Sequence, residues 1–231
     1  MTGRLFLIPA CLGEDNRALL SNQALEAIKQ LNQFVVENAR SARRFLRAMG
    51  YTRNFDTEVV IKELNKHASN SSKELLDALF NGKDVGLISE AGNPCIADPG
   101  YELVAFAHAH HIQVVPLIGP SSILLALISS GFSGNQFTFH GYLPIESVDR
   151  KRKIKQLEEA KVKGGAQLFM ETPFRNDQLL KELLAQLQEN TRLSIACDIT
   201  LSTEYIQMKT VKEWRKDTPS LHKRYCIFVI G

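Results

Sequence analysis

The sequence of 231 residues has no closely spaced cysteines, no long apolar run at its start and no strong excess of one charge. Its four cysteines, at positions 11, 95, 197 and 226, are too far apart for a CxxC metal or redox motif, and we expect reduced thiols. The first apolar run, residues 5–8, is shorter than the roughly 7–15 residues of a signal peptide core and the about 20 of a membrane span. We therefore expect a soluble, cytoplasmic protein. A net charge of +3 neither requires nor excludes a nucleic-acid partner.

Short apolar runs alternate with segments of helical periodicity along the chain. This alternation is typical of an α/β protein with a largely parallel sheet. The predicted strands cover residues 5–8, 34–36, 85–88, 112–117, 137–139, 167–170, 193–196 and 225–230. The predicted helices cover residues 21–31, 41–49, 120–130, 149–162 and 174–190, with two more that begin at Ser71 in a capping box and behind Asp98 as cap. A turn after residue 117 predicts two α/β lobes, residues 1–117 and 118–231.

Three of the predicted strands end in loops rich in glycine, proline and small residues. These loops lie at residues 9–13, 89–94 and 119–122. In open α/β sheets, ligands bind beyond the carboxyl ends of the strands, where small residues let backbone groups come close to a ligand. The sequence has no Walker, GxGxxG or GxSxG motif, so the three loops together predict a small-molecule site of another kind.

Four segments resemble the motifs of one family in the same order. Residues 87–101, LISEAGNPCIADPGY, resemble the signature SDAGTPxISDPGY of the tetrapyrrole methylase-like superfamily. Residues 115–122 resemble VxPxPGPSA, residues 140–144 resemble GFLP, and residues 171–175, ETPFR, resemble ESPHR. The resemblance is greatest to the branch that methylates a ribose 2′-hydroxyl of small-subunit ribosomal RNA.

The resemblance implies a methyltransferase of two α/β lobes with S-adenosylmethionine (SAM) in the cleft between them, no metal, and a homodimer as the usual assembly. It also implies which positions contact SAM, since they match the family's motifs. These are Ala10, Leu12, Ala91, Gly92, Asn93, Ile96, Ser121, Ser122, Tyr142, Leu143 and Met170.

A hydroxyl nucleophile is assisted by a proton acceptor, and methyl transfer otherwise depends on positioning in a dry pocket. By resemblance, the candidates are Glu37 and Glu171, with Arg40 and Arg175 as phosphate or carboxylate clamps. Residues 37–40, Glu-Asn-Ala-Arg, stand where the family has EDTR. Two other functions stay open: methylation of a tetrapyrrole or other small molecule, and a degenerate member that acts as an interaction protein.

Two groups of basic residues have alternative interpretations. The arginines at positions 40, 43, 44, 47 and 53 form either a track for RNA phosphates or a solvated helix face. Residues 150–155, RKRKIK, either extend such a track or begin an exposed helix. The histidines at positions 108, 110 and 111 lack the spacing and companions of a metal site, and we predict no metal there.

Overall fold

The computed structural model describes residues 2–64 and 77–231, with the backbone alone for residues 162–164. The chain divides into two compact units, Met1–Ser121 and Ser122–Gly231. The division falls at the start of a helix, four residues after the predicted boundary at 117 (121 − 117).

The first unit contains a five-stranded, wholly parallel sheet. Its strands lie in the order β3-β2-β4-β1-β5. They are β1 (Leu5–Ile8), β2 (Gln33–Val36), β3 (Val60–Glu63), β4 (Val85–Ile88) and β5 (Val114–Pro116). The helices are α1 (Asn22–Gln30), α2 (Ala39–Ala48) and α3 (Tyr101–Ala109), and a 3-10 helix spans Arg17–Leu19. Because all five strands are parallel, the loops at their carboxyl ends share one edge of the sheet.

Burial on both faces explains why the central strands of this unit could be recognised from the sequence. Every residue of β2 and of β4 is buried. One apolar cluster includes residues of α1 and α2, and a second includes Leu103 and Ala107 of α3. Residues 77–80 are helical, whereas the predicted capping box at Ser71 lies outside the described residues.

The second unit contains a mixed sheet in the order β6-β7-β10-β8-β9. Its strands are β6 (Phe137–Tyr142), β7 (Ala166–Met170), β8 (Arg192–Cys197), β9 (Tyr205–Thr210) and β10 (Cys226–Ile230). Its helices are α4 (Ser122–Ser129), α5 (Ser147–Gly164), α6 (Asn176–Gln186) and α7 (Val211–Lys216). The neighbours β6 and β7 pair in parallel, whereas the other three neighbouring pairs are antiparallel, so the predicted largely parallel arrangement is wrong for this unit. The antiparallel pairing of β8 with β9 follows from their short connection, residues 198–204, since a parallel crossover needs about a dozen residues.

The core of the second unit is formed by leucines of α6 and by the inward face of the sheet. The predicted helix over 174–190 is confirmed but shorter, and Leu187 acts as its C-cap. Trp214 of α7 is fully buried in the same cluster and donates a hydrogen bond of 2.9 Å to the carbonyl of Leu193. Within residues 2–64 and 77–231, no helix is both long and apolar enough to cross a bilayer.

Candidate functional site

The three small-residue loops meet at the carboxyl edge of the first sheet. Ala10 and Gly92 form an isolated antiparallel bridge, with N–H to O distances of 2.8 and 3.1 Å. The side-chain amide of Asn93 donates to the carbonyl of Pro120 at 3.3 Å. Hydrogen bonds therefore join the loop after β1 to the loop after β4, and that loop to the one after β5.

Gly92 lies at the centre of this arrangement and needs to be glycine. Its φ is +71°, in the left-handed region that side chains rarely adopt. A Cβ there would lie 3.3 Å from Cδ2 of Leu12 and 3.5 Å from the carbonyl oxygen of Pro120. The buried hydroxyl of Ser89 holds the turn by donating to the Gly92 carbonyl at 2.6 Å. The result is a compact backbone cradle in which side-chain atoms occupy little space.

A cavity of about 30 Å³ opens beside the cradle within the first unit. Its lining comes from the ends of β1, β2 and β4 and from the start of α2, and includes Ala10, Val36, Ser41, Ile88, Ser89 and Glu90. This volume holds little more than a water molecule, compared with about 300–1,000 Å³ for small-molecule sites in general.

Three carboxylates gather at this edge. Burial, followed by the negative charges of Glu37 and Glu90, raises the pKa of Asp98 to about 6. Glu37 directly follows β2, and Glu90 accepts a hydrogen bond of 2.6 Å from the hydroxyl of Ser41 in α2. Asp98 therefore titrates close to neutral pH, a property expected of a group that exchanges protons during catalysis.

The prediction that Asp98 caps the following helix is wrong. The N-cap of α3 is Gly100, with φ of +116° and no side-chain cap. A Cβ on Gly100 would lie 2.7 Å from Cδ2 of Leu87, so both the left-handed backbone and the close packing exclude larger residues there. The chain makes its turn at Gly100, and the Asp98 carboxylate is thereby left beside the other acids.

Asn38, which stands where the family motif EDTR has aspartate, caps α2. Its side-chain oxygen accepts from the backbone N–H groups of Arg40 and Ser41 at 2.9 and 3.1 Å. Asparagine and aspartate are both strong N-caps, so this departure from the motif keeps the local fold. Arg40 is exposed in the first turn of the helix.

The other predicted SAM contacts of the first unit differ from one another in burial. Leu12 is half-buried against the cradle, whereas Ala91 and Ile96 are exposed. Ser121 is the last residue of the first unit, and Ser122 begins α4 in the second.

In the second unit, the predicted SAM contacts share one sheet edge. Tyr142 and Met170 are partners across β6 and β7, after a register shift that begins at Phe139. Tyr142 is exposed and Met170 is half-buried. Leu143 is only 2% exposed and packs in the core of the second unit.

Glu171 and Arg175 form an ion pair directly after β7. The Glu171 side chain is 1% exposed, and its Oε1 accepts from Nη2 of Arg175 at 2.6 Å and from the N–H of Thr172 at 2.7 Å. This carboxylate is already engaged, so its evident role is to orient the half-exposed guanidinium of Arg175. The arrangement favours the clamp predicted for Arg175 over the base predicted for Glu171.

Four arginines of α2 and the loop after it divide into two sets. Arg47 donates to the carbonyls of Tyr51 and Arg53 at 2.5 and 2.9 Å, and Arg53 donates to the carbonyl of Gln30. These two arginines hold the loop that follows the helix. Arg43 and Arg44 are exposed and pair with carboxylates at 3.4 and 3.5 Å, distances that give weak surface pairs. Arg47 and Arg53 therefore stabilise the fold, whereas Arg43 and Arg44 are accessible to an anionic partner.

Arg150 does not belong to an exposed basic surface. It is 4% exposed, and its guanidinium makes two bonds of 2.7 and 2.6 Å to Glu182. It also donates to the carbonyls of Pro144 and Ile145 at 3.3 and 2.7 Å. The exposed cations of this run begin at Lys151.

One of the three histidines near the end of α3, His110, is engaged in ring contacts. His110 stacks on Phe106 with ring centroids 3.8 Å apart and contacts the edge of Phe80 at 5.6 Å. Its Nδ1 lies 3.0 Å from the carbonyl of Phe106. Packing against Phe106 and Phe80 therefore accounts for the histidine at position 110.

The fold and the loop geometry agree with one family. The family model for tetrapyrrole (corrin/porphyrin) methylases matches residues 7–214, and the chain belongs to this family. This confirms the methyltransferase class and the two-lobed α/β fold that the sequence motifs predict. Solved structures agree on the fold: the methyltransferase CobJ has a TM-score of 0.64 at 16% identity, with 100% of this chain and 94% of that chain covered. Uroporphyrin-III C-methyltransferase from Thermus thermophilus has a TM-score of 0.59 at 15% identity, with 100% and 93% covered.

Curated relatives point to one branch of the family. The chain is 30% identical to ribosomal RNA small subunit methyltransferase I from Buchnera aphidicola subsp. Schizaphis graminum, with 99% of this chain and 78% of the relative covered. It is also 30% identical to the protein of that name from Halalkalibacterium halodurans, with 99% and 76% covered. The relative of that name from Escherichia coli O157:H7 is 28% identical, with 99% and 77% covered.

Proposed function

We propose that this chain transfers a methyl group from SAM to small-subunit ribosomal RNA, with a ribose 2′-hydroxyl as the acceptor. One observation carries the proposal: the similarity to ribosomal RNA small subunit methyltransferase I extends over 99% of the chain. The solved methyltransferases that share the fold are only 13–16% identical and support the fold alone.

The cradle of the first unit suits a nucleoside cofactor. Ala10, Ala91 and Gly92 carry little or no side chain, so backbone donors and acceptors can approach a ligand closely. Leu12 supplies an apolar wall beside Gly92, and Asn93 fixes the neighbouring loop. When bound, SAM supplies an electrophilic methyl group on a sulfonium. The remaining task of the protein is to orient the acceptor and to exclude water.

Proton removal from the acceptor is assigned to the acidic edge of the first unit. Glu37 and Glu90 both raise the pKa of Asp98, so this group of carboxylates holds a proton more readily than an isolated aspartate does. Glu171 is unsuited to the same role because Arg175 and the N–H of Thr172 already occupy its Oε1. Arg175 remains available as a clamp for a phosphate.

A homodimer also belongs to the proposal. Leu124 and Ile128 lie one turn apart on α4 and are 52% and 76% exposed. Ala126 and Leu127 on the same helix are buried against the second sheet. An apolar helix face of this kind fits a self-complementary contact with a second copy. Light scattering on the wild-type chain and on Ile128→Lys tests this: a dimer that the variant converts to a monomer supports it, and a monomeric wild type contradicts it.

Cofactor binding and acceptor choice are tested in two steps. Calorimetric titration with SAM and with S-adenosylhomocysteine should show binding that Gly92→Val weakens strongly, while Gly134→Val, at an exposed loop glycine in the second unit, leaves it unchanged. Radiolabelled SAM is then offered with small ribosomal subunits or with uroporphyrinogen. Label in RNA supports the proposal, whereas label in the tetrapyrrole shows a small-molecule methylase. Absence of SAM binding at millimolar concentration would leave an interaction protein.

A further inference from the structure

One edge of the second sheet collects exposed aromatic side chains. Tyr142 pairs with Met170, and Met170 pairs with Ile227, so the end of β6, the end of β7 and the start of β10 lie side by side. Phe174 follows β7, and Tyr225 directly precedes β10. Phe174 is 71% exposed, the largest exposed fraction of any described phenylalanine, tyrosine or tryptophan.

The backbone around Phe174 is tied to the segment before β10. The carbonyl of Pro173 accepts from the N–H of Lys223 at 2.9 Å, and the buried amide of Asn176 donates to the carbonyl of Arg224 at 2.7 Å. The Asp177 carboxylate accepts from the N–H of Leu221. Three hydrogen bonds therefore fix both segments, so the exposure of Phe174 does not result from a loosely held loop.

Phe174 has the ring of His222 beside it, and the cation Lys223 follows His222 in the chain. The ring of His222 meets that of Phe174 edge to face, with centroids 6.1 Å apart. Lys223 is exposed and has a φ of +61°, an unusual conformation for a residue with a side chain. We call Phe174, His222 and Lys223 the Phe174 platform.

Cations that an anionic partner can reach lie at this edge. Two buried acids pair with arginines, Glu171 with Arg175 and Asp198 with Arg224 at 2.7 Å, and the exposed Asp177 accepts the N–H of Leu221. Lys223 is exposed. Arg175 keeps about a third of its side chain in solvent. An exposed, firmly held aromatic ring among cations is the combination that binds an unpaired base: the base stacks on the ring and its phosphates meet the cations.

We infer that the Phe174 platform stacks one unpaired base of the RNA substrate, while Lys223 contacts the adjoining phosphate. The inference rests on the proposed function and narrows its substrate to RNA in which the bound nucleotide is unpaired. A ribose next to an unpaired nucleotide is also easier to present to an active site than one within a helix.

The test is fluorescence anisotropy of a fluorescein-labelled, single-stranded RNA 12-mer and of the same strand in a duplex. Phe174→Leu keeps an apolar side chain but removes the flat ring, and Phe174→Trp keeps a flat ring. The matched control is Phe137→Leu, because Phe137 is a partly exposed phenylalanine at the opposite end of β6. Lys223→Ala tests the phosphate contact.

Phe174→Leu should weaken single-strand binding by about 5- to 150-fold at unchanged salt dependence, as expected for the loss of one base stack. Phe174→Trp should retain the affinity, and RNA should quench the new indole, whereas Trp214 is buried and constant. Lys223→Ala should lower the slope of log K against log salt by about 0.7, the value for one single-strand phosphate. Phe137→Leu should match the wild type.

The proposed RNA contact of the Phe174 platform would be overturned if Phe174→Leu bound single-stranded RNA as tightly as the wild type. It would also be overturned if Phe137→Leu lost as much RNA affinity as Phe174→Leu. So would a change in self-association in Phe174→Leu with RNA affinity unchanged, since the ring would then contact a second copy. Methyl transfer to small subunits separates the two proposals. If the wild type methylates RNA and Phe174→Leu has the same KM for it, only the platform fails; if the wild type neither binds nor methylates RNA, the proposed function fails as well.

Discussion

Removal of Arg150 should cause a large loss of stability in the second unit. Arg150 is 4% exposed, and it makes two charge-assisted bonds to Glu182 and two bonds to backbone carbonyls. Arg150→Met would leave the 14% exposed Glu182 carboxylate without its cation. Breaking a buried pair in this way costs about 3–5 kcal/mol.

A second substitution distinguishes an unpaired charge from lost packing. Replacing both partners of a buried ion pair by apolar residues of similar volume is often close to neutral. The double variant Arg150→Met, Glu182→Met should therefore recover most of the loss caused by Arg150→Met alone. The control is Arg152→Ala on the same helix, whose 71% exposed side chain pairs with Asp149 and contributes at most about 1 kcal/mol.

Urea unfolding followed by the fluorescence of Trp214 measures these effects. Trp214 is the only tryptophan and lies in the core of the second unit, so its signal reports the unit that holds the pair. The hydrogen bond from Arg150 lowers the pKa of Glu182, so the pair's stabilisation is present above the ordinary pKa of glutamate and is lost as pH falls. The difference in free energy of unfolding between wild type and Arg150→Met should accordingly become smaller below about pH 4. If Arg150→Met lost no more free energy of unfolding at pH 7 than Arg152→Ala, the buried ion pair would be refuted, and Arg150 would count as an exposed basic residue.

Three further outcomes are expected. Gly92→Ala should lower the free energy of unfolding by about 1–2 kcal/mol because its backbone is left-handed, and it should weaken SAM binding; a neutral effect on both would contradict the cradle. The pKa of Asp98 is raised to about 6 in the folded state, so the carboxylate destabilises the fold as pH rises through about 6. Asp98→Asn should therefore raise the melting temperature more at pH 8 than at pH 4. An equal shift at both pH values would contradict the clustering of Asp98 with Glu37 and Glu90. Cys197 and Cys226 are buried, their sulfurs lie 2.7 Å apart, and the pKa of Cys226 is raised, so a thiol reagent should label them only on unfolding; rapid labelling of the native chain would contradict this.

The central strands of the first sheet were predictable because β2 and β4 are apolar runs buried on both faces. The edge strand β3, VIKE, is exposed or half-buried and was not predicted. β9 was also missed. Its sequence, YIQMKT, is half exposed at the sheet edge and gives a weak pattern. The direction of the second sheet's strands was mispredicted because periodicity does not report it. The short connection from β8 to β9 was the available signal.

The site was predictable where local chemistry determines it. The small-residue loops had to share an edge of a parallel sheet, and the structure joins them through Ala10, Gly92 and Asn93. Roles set by distant partners could not be read locally. Arg150 looks like one more cation of a basic run, yet its partner Glu182 lies 32 residues away. Asp98 looks like a helix cap because Pro99 follows it, whereas the turn at Gly100 moves the helix start past it.

The most direct measurement of the proposed activity is nucleoside analysis of labelled RNA. Small subunits are incubated with this protein and SAM carrying a labelled methyl group, and the RNA is digested completely and separated. We expect label in a single 2′-O-methylnucleoside, at a stoichiometry approaching one per subunit, and less label with the Asp98→Asn variant. Label in a base-methylated nucleoside, or none in RNA when SAM binds, would contradict the proposed activity.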